Sequence, residues 1–308
     1  GYYWAPNDYG DFKFLFSFFD KQGIALSARI NMKKRYVYDG YITTSLIRKL
    51  TNSQKIDDLY TNNSYQNWDF KIVHHYKITP NQKLNINATY VSNNNYYQQT
   101  GQDIDTRTKQ LINSSINYSK IWPNSKNSFS LNLSDYYNLV SEDDTVSYLG
   151  QHNFFRSRIL PHITFRHNQT PVFGDGENWY NTIYWSLSSN YKGNQQIGFV
   201  ADTDSTWKDT STYKRGVSHS INLASPRTLF EWLTFNTNLS LREDWIFKFR
   251  DYSSALNVND YVNKDGFMRR LTGQTTMSLA TKIYGIIPIN IGFLSSLRHV
   301  ATPSIGFT

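Results

Sequence analysis

Apolar and polar residues alternate along most of this chain. In one segment, Leu84, Ile86 and Ala88 fall on one side, and Asn85 and Asn87 fall on the other. The same alternation recurs in segments 24–31, 68–77, 129–134 and 233–242. A period of two residues places one face of a β-strand in an apolar medium and the other face in a polar one. No long stretch has a helical period, so the chain is predicted to be all-β.

Turn residues separate the alternating segments. Short connections of the kind that closes a β-hairpin are found at 20–23, 39–40, 80–82 and 192–194. Longer polar stretches occupy residues 51–66, 93–107, 168–178, 202–214 and 251–266. This spacing predicts about a dozen or more strands of about ten residues each. Such strands, with short turns at one end and long loops at the other, are typical of a membrane β-barrel.

The composition favours a membrane barrel over a soluble sandwich or β-helix. Hydrophobic residues make up only 39% of the chain, yet aromatic residues reach 16%. Many aromatic residues lie near the predicted strand ends, where barrels carry interfacial girdles, among them Trp68, Tyr76, Trp122 and Trp245. The polar faces suit a wet lumen better than a second packed sheet. We therefore expect an antiparallel transmembrane β-barrel, of which this chain forms an incomplete segment.

The charge balance is basic, with a formal net charge of +8. Arg29, Lys33 and Arg35 belong to the densest cationic group, and on a lumen wall they would attract and steer anionic cargo. The alternative is a solvated rim that meets anionic lipid head groups. Nucleic acid is not an expected partner, because the charge is spread over strands and loops rather than gathered on one recognition element.

Residues that could support catalysis or metal binding are scattered. His74 and His75 are neighbours on a strand and so point to opposite faces. Residues 174–177 and 202–209 are the candidate calcium loops, although neither has the full ligand pattern of a calcium-binding loop. Nucleophile, dinucleotide and phosphate-loop motifs are all missing from the sequence, and the chain has no cysteine. We expect a non-enzymatic protein without a cofactor.

Several blocks of the sequence resemble the LptD family of lipopolysaccharide-assembly outer-membrane proteins, especially its Bacteroidetes-type members. The first block, residues 2–9, is similar to the segment that opens the family's barrel, and residues 11–13, 23–26 and 34–40 are similar to its first hairpins. The last block resembles the family most specifically. It contains Tyr284, Gly285, Arg298, His299 and Pro303, which match the family's "YG … RH…TPS" region.

The resemblance implies a translocon that inserts lipopolysaccharide into the outer leaflet of the cell outer membrane of a Gram-negative bacterium. It implies a barrel plugged by an LptE-like lipoprotein, periplasmic lipopolysaccharide-bridge components and contact with outer-membrane lipid. The barrel would open laterally near its first strand, expected around 11–19. The residues that this comparison assigns to the gate region are Tyr2, Tyr3, Trp4, Pro6, Asp11 and Phe16.

The resemblance also bears on how the chain is organised. Residues 1–308 would form one barrel segment, with a jelly-roll domain before it and the closing strands after it. Proteobacterial members have prolines near the gate, where this chain has Gly1 and Phe16, so that only Pro6 remains nearby. A self-contained porin-like or adhesin-like barrel is the alternative function.

Overall fold

The computed structural model describes residues 1–19, 23–50, 54–56, 59–61, 64–100, 103–107, 111–139, 152–176, 178–201, 207–251, 262–291 and 294–308. Nearly all of these residues are in β-strands, and two short helices, α1 (Tyr96–Thr100) and α2 (Ile104–Arg107), lie in one connection. The predicted all-β, antiparallel class is confirmed.

The strands follow one another along the chain as hairpins. Their bounds are β1 Tyr2–Asn7, β2 Gly10–Phe19, β3 Gly23–Lys34, β4 Tyr38–Leu50, β5 Gln54–Ile56, β6 Leu59–Thr61, β7 Ser64–Thr79, β8 Gln82–Val91, β9 Leu111–Trp122, β10 Asn127–Asn138, β11 His152–Pro171, β12 Tyr184–Ala201, β13 Trp207–Leu229, β14 Leu233–Asp251, β15 Val262–Thr281, β16 Ile283–Ile291, β17 Leu294–Ala301 and β18 Ser304–Phe307.

Fourteen of these strands form one sheet in the order β1-β2-β3-β4-β7-β8-β9-β10-β11-β12-β13-β14-β15-β18. Sequence neighbours are therefore sheet neighbours, the order expected of an up-and-down barrel wall and consistent with an incomplete barrel. The chain divides into two compact units. The first contains Gly1–Ile121, Ser130–Ile163 and Lys192–Arg215, and the second contains Trp122–Phe129, Thr164–Tyr191 and Gly216–Thr308.

The register of the first unit separates two faces. One cross-strand row runs Phe16, Leu26, Leu46 and Trp68, and we call the side that it belongs to the apolar face. A second row, on the other side of the sheet, runs Lys13, Arg29, Thr43, Lys71 and Thr89, and this side is the polar face. In membrane barrels the apolar face contacts lipid and the polar face lines the lumen.

The second unit has the same two faces. On its apolar face, Leu223 lies opposite Leu239, and Ile221 lies opposite Leu241. On its polar face, Ser220 pairs with Arg242, which in turn pairs with Thr272. The alternation seen in the sequence therefore sorts residues onto the two faces as predicted.

Strand lengths differ from the sequence prediction. Strands β11 to β15 are 18 to 23 residues long, well beyond the predicted ten. The polar stretches 168–178, 202–214 and 251–266 were expected to be loops, but residues 168–171, 207–214 and 262–266 are in strands. Ladder hydrogen bonds to a neighbour hold these polar residues in strand conformation, so the end of the amphipathic pattern does not end the strand.

The connections fall at two ends of the strands. Most connections at one end are short, at 8–9, 35–37, 80–81, 123–126 and 230–232, and we call this the short-turn end; the longer connection 172–183 also lies there. Apart from residues 20–22, the opposite ends are joined through longer segments, at 51–63, 92–110, 139–151, 202–206 and 252–261, and we call these the long-loop ends. In bacterial outer-membrane barrels the short turns are periplasmic and the long loops are extracellular.

Strands β15 to β18 form one long hairpin. Met277 pairs with Phe307, and Ile283, six residues further along, pairs with Ala301, six residues further back. The pairing of β15 with β18 therefore continues, in the same register, into the pairing of β16 with β17. Between the two ladders, the Thr281 N–H donates to the carbonyl of Pro303 at 3.2 Å, but Pro303 has no N–H with which to return the bond. The hairpin is therefore weakened at Pro303.

Candidate functional site

The polar face of the first unit carries a strip of cations. Its members are Lys13, Arg29, Lys33, Lys71, Lys77 and Lys83, placed on one face by the register of β2, β3, β4, β7 and β8. Lys77 and Lys83 are directly opposite each other. Like charges placed opposite one another are destabilising, so this pair lowers the stability of the sheet unless an anion binds between the two ammonium groups.

An aromatic ring joins two cations of the strip. The Arg29 guanidinium lies 4.7 Å from the centre of the Tyr41 ring, and the Lys71 ammonium lies 5.7 Å from the same ring. The Arg29 Nε also donates to Asn31 at 2.9 Å, and the Asn31 amide donates to Asp11 at 2.8 Å. These contacts fix the position of the Arg29 guanidinium on the polar face.

The short-turn end of this strip opens into a hollow of about 650 Å³. Five cations line it, Lys33, Lys34, Arg35, Lys77 and Lys83, together with the single carboxylate of Asp39. Of the three predicted steering residues, Arg29 and Lys33 share the polar face of β3. Arg35 lies in the turn that follows β3, with its guanidinium 4.6 Å from the ring centre of Tyr36, and so lines the rim of the hollow.

At the long-loop end of the same face, the connection that contains α1 folds back onto the strands. Tyr96 is buried, and its hydroxyl donates to the Asp69 carboxylate, which also accepts a hydrogen bond from Ser45. Burial and the Asp69 carboxylate raise the pKa of Tyr96, so the hydroxyl stays protonated and remains a donor. The polar face therefore has cations toward one end and a carboxylate covered by a loop toward the other.

The predicted gate residues lie in two strands rather than one. The expected first strand, around 11–19, is β2, and β1 forms the outer edge beyond it. Tyr3 pairs with Lys13 and so lies on the polar side, whereas Tyr2 and Trp4 pair with Phe14 and Phe12 and lie on the apolar side. Every residue of β1 is exposed.

The pairing of β1 with β2 is irregular between Trp4 and Asn7, the interval that contains Pro6. Proline cannot donate to a ladder, and an irregular, proline-containing edge strand is poorly suited to tight pairing. Next to it lies a groove of about 380 Å³ on the apolar side, lined mainly by Tyr2, Trp4, Pro6, Phe12, Ile30 and Met32. Asp11 lies on the polar face and Phe16 on the apolar face of β2.

The residues that match the family's last block come together in the long hairpin. Tyr284 lies opposite Val300, and Gly285 lies opposite His299. The guanidinium of Arg298 lies 4.7 Å from the centre of the Tyr284 ring. Pro303 is the weak point between β17 and β18 described above. The motif thus marks the strand pair at the other end of the sheet order from β1.

An arginine cluster on the polar face of the second unit was missed from the sequence. The buried carboxylate of Asp244 accepts from Arg242 at 3.0 Å and from Arg270 at 2.7 Å. Both arginine side chains are about 60% exposed, at 59% and 61%. The two-residue spacing of Arg242 and Asp244 was visible, but Arg270 joins them only through the pairing of β14 with β15.

One hydroxyl and one imidazole lie close enough to suggest catalysis. Ser189 Oγ is 2.8 Å from Nδ1 of His219. Within the described part of the chain, Nε2 of His219 is buried without a hydrogen-bond partner, so no third group orients the ring as a general base requires. The pair therefore lacks the arrangement of a catalytic triad.

Neither a metal cluster nor a membrane-spanning helix is found in the part of the chain that the structure describes. Among the residues that the structure describes, no group of three or more His, Asp or Glu is arranged to hold a metal ion. Residue 177 of the first calcium candidate and residues 202–206 of the second lie outside the described residues. No helix in the described ranges is long and apolar enough to cross a membrane.

Comparison with known proteins gives one family. The sequence profile described as "LptD protein" matches residues 1–308, the whole chain. A comparison with curated proteins returns no match. The profile match agrees with the all-β, antiparallel sheet, and the family acts in lipopolysaccharide transport to the outer membrane of Gram-negative bacteria, not as a known enzyme. The chain belongs to the LptD family.

Proposed function

We propose that residues 1–308 form one segment of the wall of a non-enzymatic outer-membrane translocon for lipopolysaccharide. The saccharide passes along the polar face, which lines the lumen, while the acyl chains leave the barrel at its edge. An LptE-like lipoprotein fills the remaining lumen, and periplasmic bridge components deliver the substrate. The short-turn end is periplasmic, and the long-loop end is extracellular.

The observation that carries this proposal is the cationic strip of the polar face. Lipid A and the inner saccharide bear phosphates and carboxylates, and cations arranged along a wall draw such anions inward. The hollow that contains Lys33, Lys77 and Lys83 lies at the proposed periplasmic entry. Further along the same face, Arg29 and Lys71 flank Tyr41, whose ring offers a surface for a sugar to stack on.

The edge formed by β1 supports lateral release. The Pro6-containing irregularity weakens the pairing of β1, and the neighbouring apolar groove has walls suited to acyl chains. A gate needs a seam that opens at little cost in hydrogen bonds. In this family member, the seam depends on the irregular edge and Pro6 rather than on a proline at position 16, which is phenylalanine.

Crosslinking of the seam tests lateral release in the full-length protein. Tyr3→Cys is combined with one cysteine in the last strand of the barrel. Because residues 1–308 contain no cysteine, Tyr3→Cys is the only thiol that they contribute, so the crosslink joins β1 to that last strand. We expect oxidation to abolish surface display of newly made lipopolysaccharide, because the seam can no longer part.

A second pair of cysteines serves as the control. Ser17→Cys and Ala25→Cys lie directly opposite each other in β2 and β3, away from the proposed seam. Crosslinking them should leave surface display unchanged. Full display with the Tyr3 crosslink formed would show that lipopolysaccharide does not leave through this seam.

A further inference from the structure

Three charged residues lie on the apolar face of the first unit. Asp135 follows Leu131 and Leu133 at two-residue spacing in β10, and so shares their side of the strand. Arg156 binds its carboxylate through Nε, at 2.9 and 3.2 Å, and through a second amino group. The Nε of Arg158 lies 3.5 Å from the same carboxylate. We call these three residues the apolar-face cluster.

Placing charge on this face is unfavourable unless something compensates for it. An arginine that faces lipid is most unfavourable at the middle of a bilayer and much less unfavourable near the interface. In the cluster, Arg156 and Arg158 are 23% and 26% exposed and Asp135 is 19% exposed, so all three are largely removed from solvent. Charged residues in membrane-facing positions are functional candidates for this reason.

The cluster has more positive charge and more donors than its carboxylate can satisfy. Two guanidinium groups carry about ten N–H donors, whereas one carboxylate offers about four acceptor positions. The net charge of the three side chains is positive. Tyr137 lies beneath Arg156, with its ring centre 4.9 Å from the guanidinium carbon, and holds that group in place. An acidic group with several oxygens would complete the site.

An apolar hollow adjoins the charges. It has a volume of about 250 Å³, and its apolar wall is formed by Ala88, Ile116, Leu133 and Leu160. Asp135, Arg156 and Arg158 line the same hollow, as does Tyr90. A hollow with a cationic rim and an apolar wall matches a lipid, whose head group is anionic and whose tail is hydrocarbon.

The position along the strands places the cluster at head-group depth. Asp135 is three residues from the end of β10, and Tyr90 is one residue from the end of β8, in both cases at the long-loop end. Trp68 and Tyr90 are 44% and 49% exposed on the apolar face nearby, as expected of an interfacial aromatic girdle.

We infer that the apolar-face cluster is a binding site on the outside of the barrel for the phosphorylated head group of a lipid A-type glycolipid in the outer leaflet. The phosphate bridges Arg156 and Arg158, and an acyl chain covers Leu133 and Leu160. This inference rests on the barrel orientation given above and not on transport through the lumen. The site holds a lipid that is already in the outer leaflet next to the wall.

Lipid binding to the full-length protein in phosphatidylcholine nanodiscs tests the site. The probe is bisphosphorylated lipid A, measured by native mass spectrometry against the Arg156→Gln/Arg158→Gln variant. We expect the variant to bind about tenfold more weakly, since charge-assisted hydrogen bonds are lost. Arg227→Gln is the matched control. Arg227 is on the apolar face of the second unit, at a short-turn end, with its guanidinium 4.8 Å from the Trp179 ring centre, and its replacement should leave binding unchanged.

Three probes on the unaltered protein keep the test independent of variant folding. Dephosphorylated lipid A should bind about as weakly as lipid A binds to the double variant. Equal binding of lipid A with and without phosphate would overturn the inference. Equal binding of phosphatidylglycerol would also overturn it, because the site would then be a general contact for anionic lipids. Full displacement by millimolar inorganic phosphate would overturn it as well, because the site would then bind free anions.

Repeating the measurement on protein crosslinked at Tyr3 separates this site from transport, because binding should persist when the gate is closed.

Discussion

The protein contains two clusters of the same composition on opposite faces of its strands. Each has one carboxylate between two arginines, Asp244 with Arg242 and Arg270 on the polar face and Asp135 with Arg156 and Arg158 on the apolar face. The arginines of the first cluster are about 60% exposed, at 59% and 61%, and those of the second are about a quarter exposed, at 23% and 26%. The same three groups are therefore in contact with water in the polar-face cluster and lie in a medium of lower dielectric constant in the apolar-face cluster.

The difference in exposure determines how each cluster can bind an anion. Exposed guanidinium groups are screened by water and can exchange partners quickly, which suits a wall along which an anion moves. Largely buried guanidinium groups bind an anion more firmly, because the surrounding medium weakens electrostatic attraction less. The polar-face cluster is thus suited to passage and the apolar-face cluster to retention.

Removing the carboxylates should give the largest effect and the clearest contrast. Asp135→Asn leaves two largely buried cations without a counter-charge and should destabilise the folded protein by about 3 kcal/mol. Asp244→Asn leaves two exposed cations that water solvates and should cost about 1 kcal/mol. Denaturant unfolding of the full-length protein in lipid bilayers measures both. Equal losses, or a larger loss for Asp244→Asn, would contradict the assignment of the two faces.

Reversing charge on the two faces should have a smaller effect, and on transport alone. Arg29→Glu with Lys33→Glu changes the polar face and should lower lipopolysaccharide crosslinking to the lumen wall about tenfold, because the anion is no longer drawn in. Arg48→Glu with Arg227→Glu makes the same charge change on the apolar faces of the two units, where these residues pair with Ile24 and Phe235 and lie outside the entry hollow.

The control variant should keep near-normal crosslinking, measured in cells by trapping lipopolysaccharide on the full-length protein. If both double variants lose transport equally, total charge and not the polar face steers the substrate. If neither does, the cations of β3 form only a solvated rim.

The sequence predicts the faces of this protein better than the ends of its strands. Alternation alone assigns Leu84 and Asn85 to opposite sides, because side chains in a strand alternate strictly. It does not show where β13 begins, because Trp207–Lys214 is polar and is held in strand by its neighbours. The turn at 230–232 was equally hidden, since Phe230 and Glu231 both adopt positive φ, at 54° and 62°, where Gly or Asn is usual.

The candidate sites, too, could be predicted from the sequence only in part. Arg29 and Lys33 could be assigned to one face from their separation of four residues. Both arginine clusters needed the register, because Arg270 is 26 residues from Asp244 and Arg156 is 21 residues from Asp135. The gate region stays a prediction from the family resemblance, and the existence of β1 as a separate edge strand depends on a turn at Asp8 and Tyr9 that alternation does not reveal.

Photocrosslinking at two adjacent positions tests the central claim, that the polar face is the path of the saccharide. Lys71 and Ile72 are neighbours in β7 that pair with Thr43 and Ile42 and so lie on opposite faces. A photoreactive residue at 71 in the full-length protein should capture lipopolysaccharide only while transport is energised, and one at 72 should show no dependence on transport. Transport-dependent capture at 72 and none at 71 would show that the saccharide does not pass along the polar face.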